Sequence, residues 1–270
     1  MRIIYLTGCS KGIGLGILKA ALQDLNTYVI GFARSAPDLK NTSLSEAQQA
    51  RFNFHQIDLS SEEGLSDFNF PELVAGAIPE SSSRAKEIIL INNAGTLGTI
   101  SHIGKLENSE IESSMRLNIT APTILANTFI NQFRKSNAFR LIINLSSGAA
   151  SKPYDGWGVY CAGKAASDML ARVLDVELSS QSFNPPFIVR SIAPGVVETA
   201  MQKQIRKTDE ADFSSLTKFQ NLKADNKLSD ADLVGEKFVK IIDALSIDQT
   251  SWPELIFRLP TLIKVNKEVR

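Results

Sequence analysis

Residues 3–34 read IIYLTGCSKGIGLGILKAALQDLNTYVIGFAR. A β-rich run, IIYL, enters a glycine-rich turn, and the turn opens GIGLGILKAALQDL, a segment with helical character, before a second β-rich run, TYVIGFAR. Strand, helix and strand in this order predict a βαβ unit opening a parallel sheet. The alternation continues down the chain. Apolar runs at 52–57 (FNFHQI), 87–92 (EIILIN), 139–145 (FRLIINL) and 187–192 (FIVRSI) have the compactness that a sheet covered on both faces requires. Helical patterns occupy 61–77, 107–135, 157–180 and 229–245, the last with Asp230 and Asp232 near its start. These predict one doubly wound α/β domain over residues 1–270, with about seven parallel strands and helices on both faces.

Composition narrows the function. The 270 residues are 43% hydrophobic and 21% charged, ordinary for a globular protein, and 29 basic residues balance 29 acidic ones. With no cationic surplus, neither nucleic acid nor an anionic membrane is an expected partner. Cys9 and Cys161 lack metal-knuckle or redox-pair spacing and read as free thiols in a reducing compartment, while His55 and His102 lack neighbouring ligands, so no metal is expected. RIIYL runs straight into the glycine turn without a basic leader, and no apolar stretch nears the ~20 residues of a membrane span; a cytoplasmic protein is expected. Residues 36–50 and 79–86 read as polar surface connections. The stretch 196–227 is polar but punctuated by Met201, Ile205, Phe213, Leu216, Phe219 and Leu222, the pattern of an amphipathic flap over a cleft.

The turn T7-G8-C9-S10-K11-G12-I13-G14 suits a dinucleotide pyrophosphate, because glycines allow close approach and the helix start offers free N–H groups. Past the second strand the chain has Ala33-Arg34-Ser35, with no acidic residue to bind ribose hydroxyls. Arg34, with Lys11, is suited to fork onto a 2′-phosphate, so NADP(H) is expected over NAD(H). Tyr160 and Lys164, in YCAGK, stand at i and i+4 on one helix face. An ammonium about 4 Å from a phenol at an effective dielectric of about 20 interacts by roughly 4 kcal/mol, enough to favour the ionised phenol.

These motifs together resemble the short-chain dehydrogenases/reductases, a family built on the Rossmann fold. Thr7 to Gly14 is similar to its TGxxxGxG element, Asn92-Asn93-Ala94-Gly95 to its NNAG element, and Pro194 to Thr199 to its PGxxxT segment. Asn118, Ser147, Tyr160 and Lys164 match its catalytic tetrad, with the usual interval of thirteen between the serine and the tyrosine. The resemblance implies a cofactor set comprising Thr7, Gly8, Ser10, Lys11, Gly12, Ile13 and Gly14; Arg34, Ser35, Asp58 and Leu59; Asn92, Asn93, Ala94 and Gly95; Tyr160 and Lys164; and Pro194, Gly195, Val197 and Thr199. It implies that Asp58 meets the adenine, Lys164 grips the nicotinamide ribose, Thr199 meets the carboxamide, and the Asn118 region supports a proton relay. A homodimer through the helices holding Asn118 and Tyr160 is implied as well. From the residue types, Tyr160 acts as proton donor to a reduced carbonyl and Ser147 holds the same oxygen.

INLSSGAASKPYDGWGVYCAGKAASDML is similar to the corresponding stretch of sepiapterin and benzil reductases, which implies a small-molecule vicinal dicarbonyl substrate. Ser147, Ala149, Pro153, Trp157, Tyr160, Gly195 and Met201 are the expected substrate contacts. Near the C-terminus, where sepiapterin reductases hold the pterin with a carboxylate, SWPELIFRLPTL offers only Glu254, which favours a benzil-like diketone over a pterin. An NADPH-binding regulator without catalysis is the alternative of another class, though the tyrosine, lysine and glycine turn are all retained. Cys161, about 100° round the helix from Tyr160, is expected to face packing.

Overall fold

A computed structural model describes residues 1–71, 85–248 and 254–259. Seven strands form one sheet: β1 (Arg2–Thr7), β2 (Thr27–Ala33), β3 (Phe52–Gln56), β4 (Glu87–Asn92), β5 (Phe139–Leu145), β6 (Phe187–Ala193) and β7 (Ile256–Arg258). All pairs are parallel and the order is β3-β2-β1-β4-β5-β6-β7. The chain winds outward from β1 to β3, then returns to β4 on the other side of β1. That reversal opens a crevice at the carboxyl ends of β1 and β4, where such sheets bind ligands.

Strand periodicity sorts the core into two layers. Ile4 and Leu6 of β1 pack with Ile17 and Leu18 of α1 (Gly12–Ala21) and with Phe238 and Ile242 of α8 (Ala231–Ile247). Their neighbours Ile3 and Tyr5 point the other way, onto Leu125 and Phe129 of α4 (Ala121–Phe133) and Leu174 of α5 (Gly158–Ser179). Each buried side chain of this size contributes roughly 1.5–3 kcal/mol, so a one-residue slip of β1 would expose a whole row.

Several sequence expectations change. The helix expected at 61–77 is not formed over 61–71, which turns instead; residues 72–77 lie outside the described residues. Asp58 Oδ1 accepts from the Ser60 N–H at 2.9 Å, and the Ser61 hydroxyl donates to the Asp58 carbonyl at 3.1 Å while accepting from the Gly64 N–H. Such local bonds compete with helix formation. Within 36–50 a one-turn helix, α2 (Glu46–Gln49), is closed by a capping box between Ser45 and Gln48. The connection expected at 79–86 lies outside the described residues except for Ala85 and Lys86. The span 107–135 divides into α3 (Asn108–Met115), a π turn (Arg116–Thr120) and α4. Asp230 caps α8 by accepting from the N–H groups of Asp232 and Leu233. β7 had no counterpart among the expected strands.

The glycine turn is held in place by α1, and α1 by α8. At their crossing Gly16 meets Gly235 so closely that a Cβ on Gly235 would stand 2.1 Å from the Gly16 carbonyl carbon. Replacing Gly235 by Val is expected to lower stability by about 1–3 kcal/mol or more, read as a fall in the urea midpoint. An unchanged midpoint would contradict this packing.

Candidate active site

The end of β1 is tied to the end of β4 by side chains. The Asn93 amide nitrogen donates to the carbonyls of Thr7 (2.8 Å) and Gly8 (3.1 Å), and the Thr7 hydroxyl oxygen accepts from the N–H groups of Asn93 and Ala94, both at 3.0 Å. Asn92 donates to Asn144 Oδ1 of β5 at 2.9 Å. Gly8 and Gly12 take positive φ angles of 67° and 56°, and a Cβ on Gly14 would stand 2.1 Å from the Gly8 carbonyl oxygen. Only glycines fold the turn this tightly onto the start of α1, leaving that helix's first N–H groups facing the crevice.

A cavity of about 560 Å³ fills the crevice. Toward the β2 and β3 side it is lined by Ser10, Lys11, Arg34, Ser35, Asp58 and Leu59. Arg34 and Lys11 are exposed there, and the Asp58 carboxyl is held below the usual range by its bonds to Ser60, then by Arg34. Gly8, Gly12, Ile13 and Gly14 form the floor, with Asn93, Ala94 and Gly95 beside them. Pro194, Gly195, Val197 and Thr199 line the wall after β6. Thr199 caps α6 (Ala200–Ile205), its hydroxyl accepting from the Gln202 N–H at 3.3 Å, and its methyl carbon lies 3.3 Å from where a Cβ on Gly12 would stand. These residues fit a dinucleotide: backbone donors and left-handed glycines face the place for a pyrophosphate.

Four expected site residues do not line the cavity. Thr7, 1% exposed, and Asn92 tie strands together, as above. Pro153 is exposed. Asn118 is buried in the π turn, where its amide accepts from the Thr96 N–H at 3.0 Å and donates to the Thr96 carbonyl at 2.8 Å. Gly163 of α5 lets the π turn approach, since a Cβ there would lie 3.1 Å from that of Asn118. From behind Gly95, Asn118 Oδ1 and Lys164 Nζ come within 3.1 and 3.6 Å of where its Cβ would be.

Ser147, Tyr160 and Lys164 do meet at the cavity. Tyr160 and Lys164 lie on the buried face of α5 with Gly163 and Ser167. The Ser147 side chain hydrogen-bonds the Tyr160 phenol and also accepts from the Ala149 N–H at 3.1 Å. Lys164 donates to the Leu145 carbonyl at 2.6 Å, and its Nζ is 5.9 Å from the centre of the Tyr160 ring. Here the sequence expectation is corrected. Burial, the largest influence, raises the Tyr160 pKa, and the Ser147 bond only partly opposes it. Burial also pushes Lys164 down to about 8, against the pull of Asp168. The charged form of each group is disfavoured by burial, and the Lys164 N–H donates to the Leu145 carbonyl rather than to the phenol. At neutral pH this leaves Tyr160 protonated, the state a proton donor requires.

Beyond Tyr160 the cavity is walled by Ala149, Trp157 and Met201. Trp157 meets Tyr160 edge-on and stacks on Phe213 with ring centres 4.8 Å apart. The segment 196–227 covers this end with α6 and α7 (Leu216–Ala224), and its apolar punctuation joins one cluster: Ile205, Phe213, Leu216 and Phe219 buried, Met201 and Leu222 partly so. Gly156 has φ +71°, and a Cβ on it would stand 2.1 Å from the Asp212 carbonyl oxygen, which explains the glycine before Trp157. Cys161 is half-buried against the same cluster and does not line the cavity. Glu254 is exposed and does not line it either. Sequence reasoning missed Lys152, Tyr154, Gln202, Lys218, Phe219 and Arg258, all of which line it. Phe219 was visible in the flap pattern, but nothing marked Arg258.

Among the described residues no group of three or more His, Cys, Asp or Glu side chains is arranged for a metal, and no helix is long and apolar enough to cross a membrane. Residues 2–210 match the family model of the short chain dehydrogenases. The chain is 33% identical over 249 residues to the benzil reductase ((S)-benzoin forming) of Bacillus cereus, covering 92% of this chain and 97% of that one. It is 31% identical to the sepiapterin reductase of Rattus norvegicus, covering 89% and 90%. The crystal structure of a short-chain dehydrogenase/reductase from Saccharomyces cerevisiae superposes with a TM-score of 0.73 at 26% identity, covering 92% of this chain and 90% of that one. With its parallel sheet, glycine turn and Ser147, Tyr160 and Lys164 at one cavity, the chain belongs to the short-chain dehydrogenase family of oxidoreductases.

Proposed function

We propose that the protein is an NADPH-dependent carbonyl reductase whose substrate is a vicinal diketone, reduced to an α-hydroxy ketone. The observation that carries this reading is the buried Tyr160 phenol, its pKa raised by burial, hydrogen-bonded to Ser147 on the wall of the cavity. A bound NADPH supplies hydride to the carbonyl carbon. Tyr160 gives its proton to the oxygen as charge grows there, and Ser147 donates to the same oxygen. Lys164 and Asn118, converging behind Gly95, hold the ribose side of the site and the path by which the proton is restored. The preference for NADPH rests on exposed Lys11 and Arg34, with no acidic residue at the end of β2.

The diketone reading is supported by the benzil reductases of Bacillus cereus and Bacillus subtilis, 33% and 32% identical, and by the aromatic wall of Trp157, Tyr154 and Phe219. A pterin is disfavoured because Glu254 stands outside the cavity. The free thiols Cys9 and Cys161 suit a cytoplasmic setting. Met169, Val173 and Val176 expose an apolar stripe on α5, which supports pairing of two copies through that helix.

Replacing Tyr160 by Phe is expected to reduce the steady-state turnover of benzil by about 10²–10⁴-fold while NADPH still binds in a fluorescence titration. Turnover at the wild-type rate would overturn the mechanism. Replacing Lys11 and Arg34 together by Ala is expected to raise KM for NADPH at least about tenfold and to change KM for NADH far less. Equal effects on the two cofactors would remove the basis for NADPH preference.

A further inference from the structure

The substrate end of the cavity has an unbalanced charge. It is lined by Lys152, Lys218 and Arg258, whereas the one carboxylate lining the cavity among the described residues, Asp58, follows β3 at the opposite edge of the sheet. Lys218 donates to the Tyr154 hydroxyl at 3.3 Å, and Lys152 lies 5.5 Å from the centre of the same ring. Arg258 ends β7 opposite Ala193 of β6, and its guanidinium reaches back over the turn after β5. Its Nη2 lies 3.3 Å from where a Cβ on Gly148 would stand, and Gly148 directly follows Ser147. No ion pair joins Arg258 to a carboxylate among the described residues; Asp168, which shares a second cleft with it, bonds Ser191 at 2.6 Å.

Cations with no carboxylate beside them repel an amino or guanidino group and favour an anion. A guanidinium fork matches a planar carboxylate through two parallel bonds. We propose that Arg258 is a specificity-determining residue that binds a carboxylate on the carbon next to the reduced carbonyl, so that the substrate class is the aryl 2-oxo acids. This deepens the reading above and rests on it: a 2-oxo acid is a vicinal dicarbonyl in which one carbonyl belongs to the carboxylate. The keto carbon takes hydride from NADPH and its oxygen takes the Tyr160 proton; the carboxylate is unchanged, and the products are a 2-hydroxy acid and NADP⁺. Tyr154, Trp157 and Phe219 supply the aromatic wall.

The test compares benzoylformate with benzil in the full chain with NADPH, as wild type, R258M and R258K. The wild type is expected to reduce both. R258M is expected to lower kcat/KM for benzoylformate relative to benzil by about tenfold to a hundredfold, mostly through KM, with R258K recovering part of the loss. A titration of NADPH binding shows whether each variant is folded. Independently of any variant, benzoate is expected to inhibit the wild type at least about tenfold more tightly than benzamide. Reduction of benzil but not benzoylformate, an unchanged ratio in folded R258M, or equal inhibition by benzoate and benzamide would overturn the role of Arg258 and leave the diketone reading standing. Failure to reduce either compound would overturn both.

Discussion

The Asn93 amide, spanning the carbonyls of Thr7 and Gly8, is the tie on which the rest of the site depends. β1 and β4 are neighbours in space but distant in sequence, and nothing local fixes how their carboxyl ends meet. The Asn93 bonds, with those accepted by Thr7, fix the glycine turn against the strand that carries Ala94 and Gly95. Asn93 is half-buried, and losing its bonds would leave the two carbonyls without these partners, so the amide favours this arrangement of the turn. Gly14 then meets the Gly8 carbonyl, α1 starts at the crevice, and α8 locks α1 through Gly16 and Gly235. Cofactor chemistry is thus built on a packing constraint.

A second constraint is dryness. Tyr160 and Lys164 stand one helical turn apart, and the spacing alone suggests a cation lowering a phenol's pKa. Burial reverses the result: it raises Tyr160, depresses Lys164, and the Leu145 carbonyl engages the ammonium. A phenol that holds its proton until an alkoxide forms beside it suits reduction of a carbonyl.

Legibility followed locality. The first βαβ unit, the glycine turn and the Tyr160 and Lys164 pair could be read because strand period, turn chemistry and helix spacing are written in adjacent residues, whereas Ser147 was found through the family resemblance. The six longer strands fell within a residue of their expected ends for the same reason. Arg258 could not be read. Its strand is three residues long, and it reaches Gly148 only through pairing with β6. The Gly16–Gly235 contact was hidden likewise, because only the crossing of α1 and α8 brings the two together. Residues 61–71 misled in the other direction: serine and aspartate side chains captured the backbone that apolar spacing assigned to a helix. Asn118 was found as a residue, but the π turn that aims it at Thr96 had no signal in its sequence.

The central claim is that this cavity joins a nicotinamide to a carbonyl beside Tyr160. Reduction of benzil with NADPH carrying deuterium at the transferable C4 position tests it most directly, with mass spectrometry locating the label. The account predicts one deuterium on the carbinol carbon of the benzoin formed and none elsewhere. Benzoin without the label, or NADPH oxidised with no benzoin produced, would contradict it.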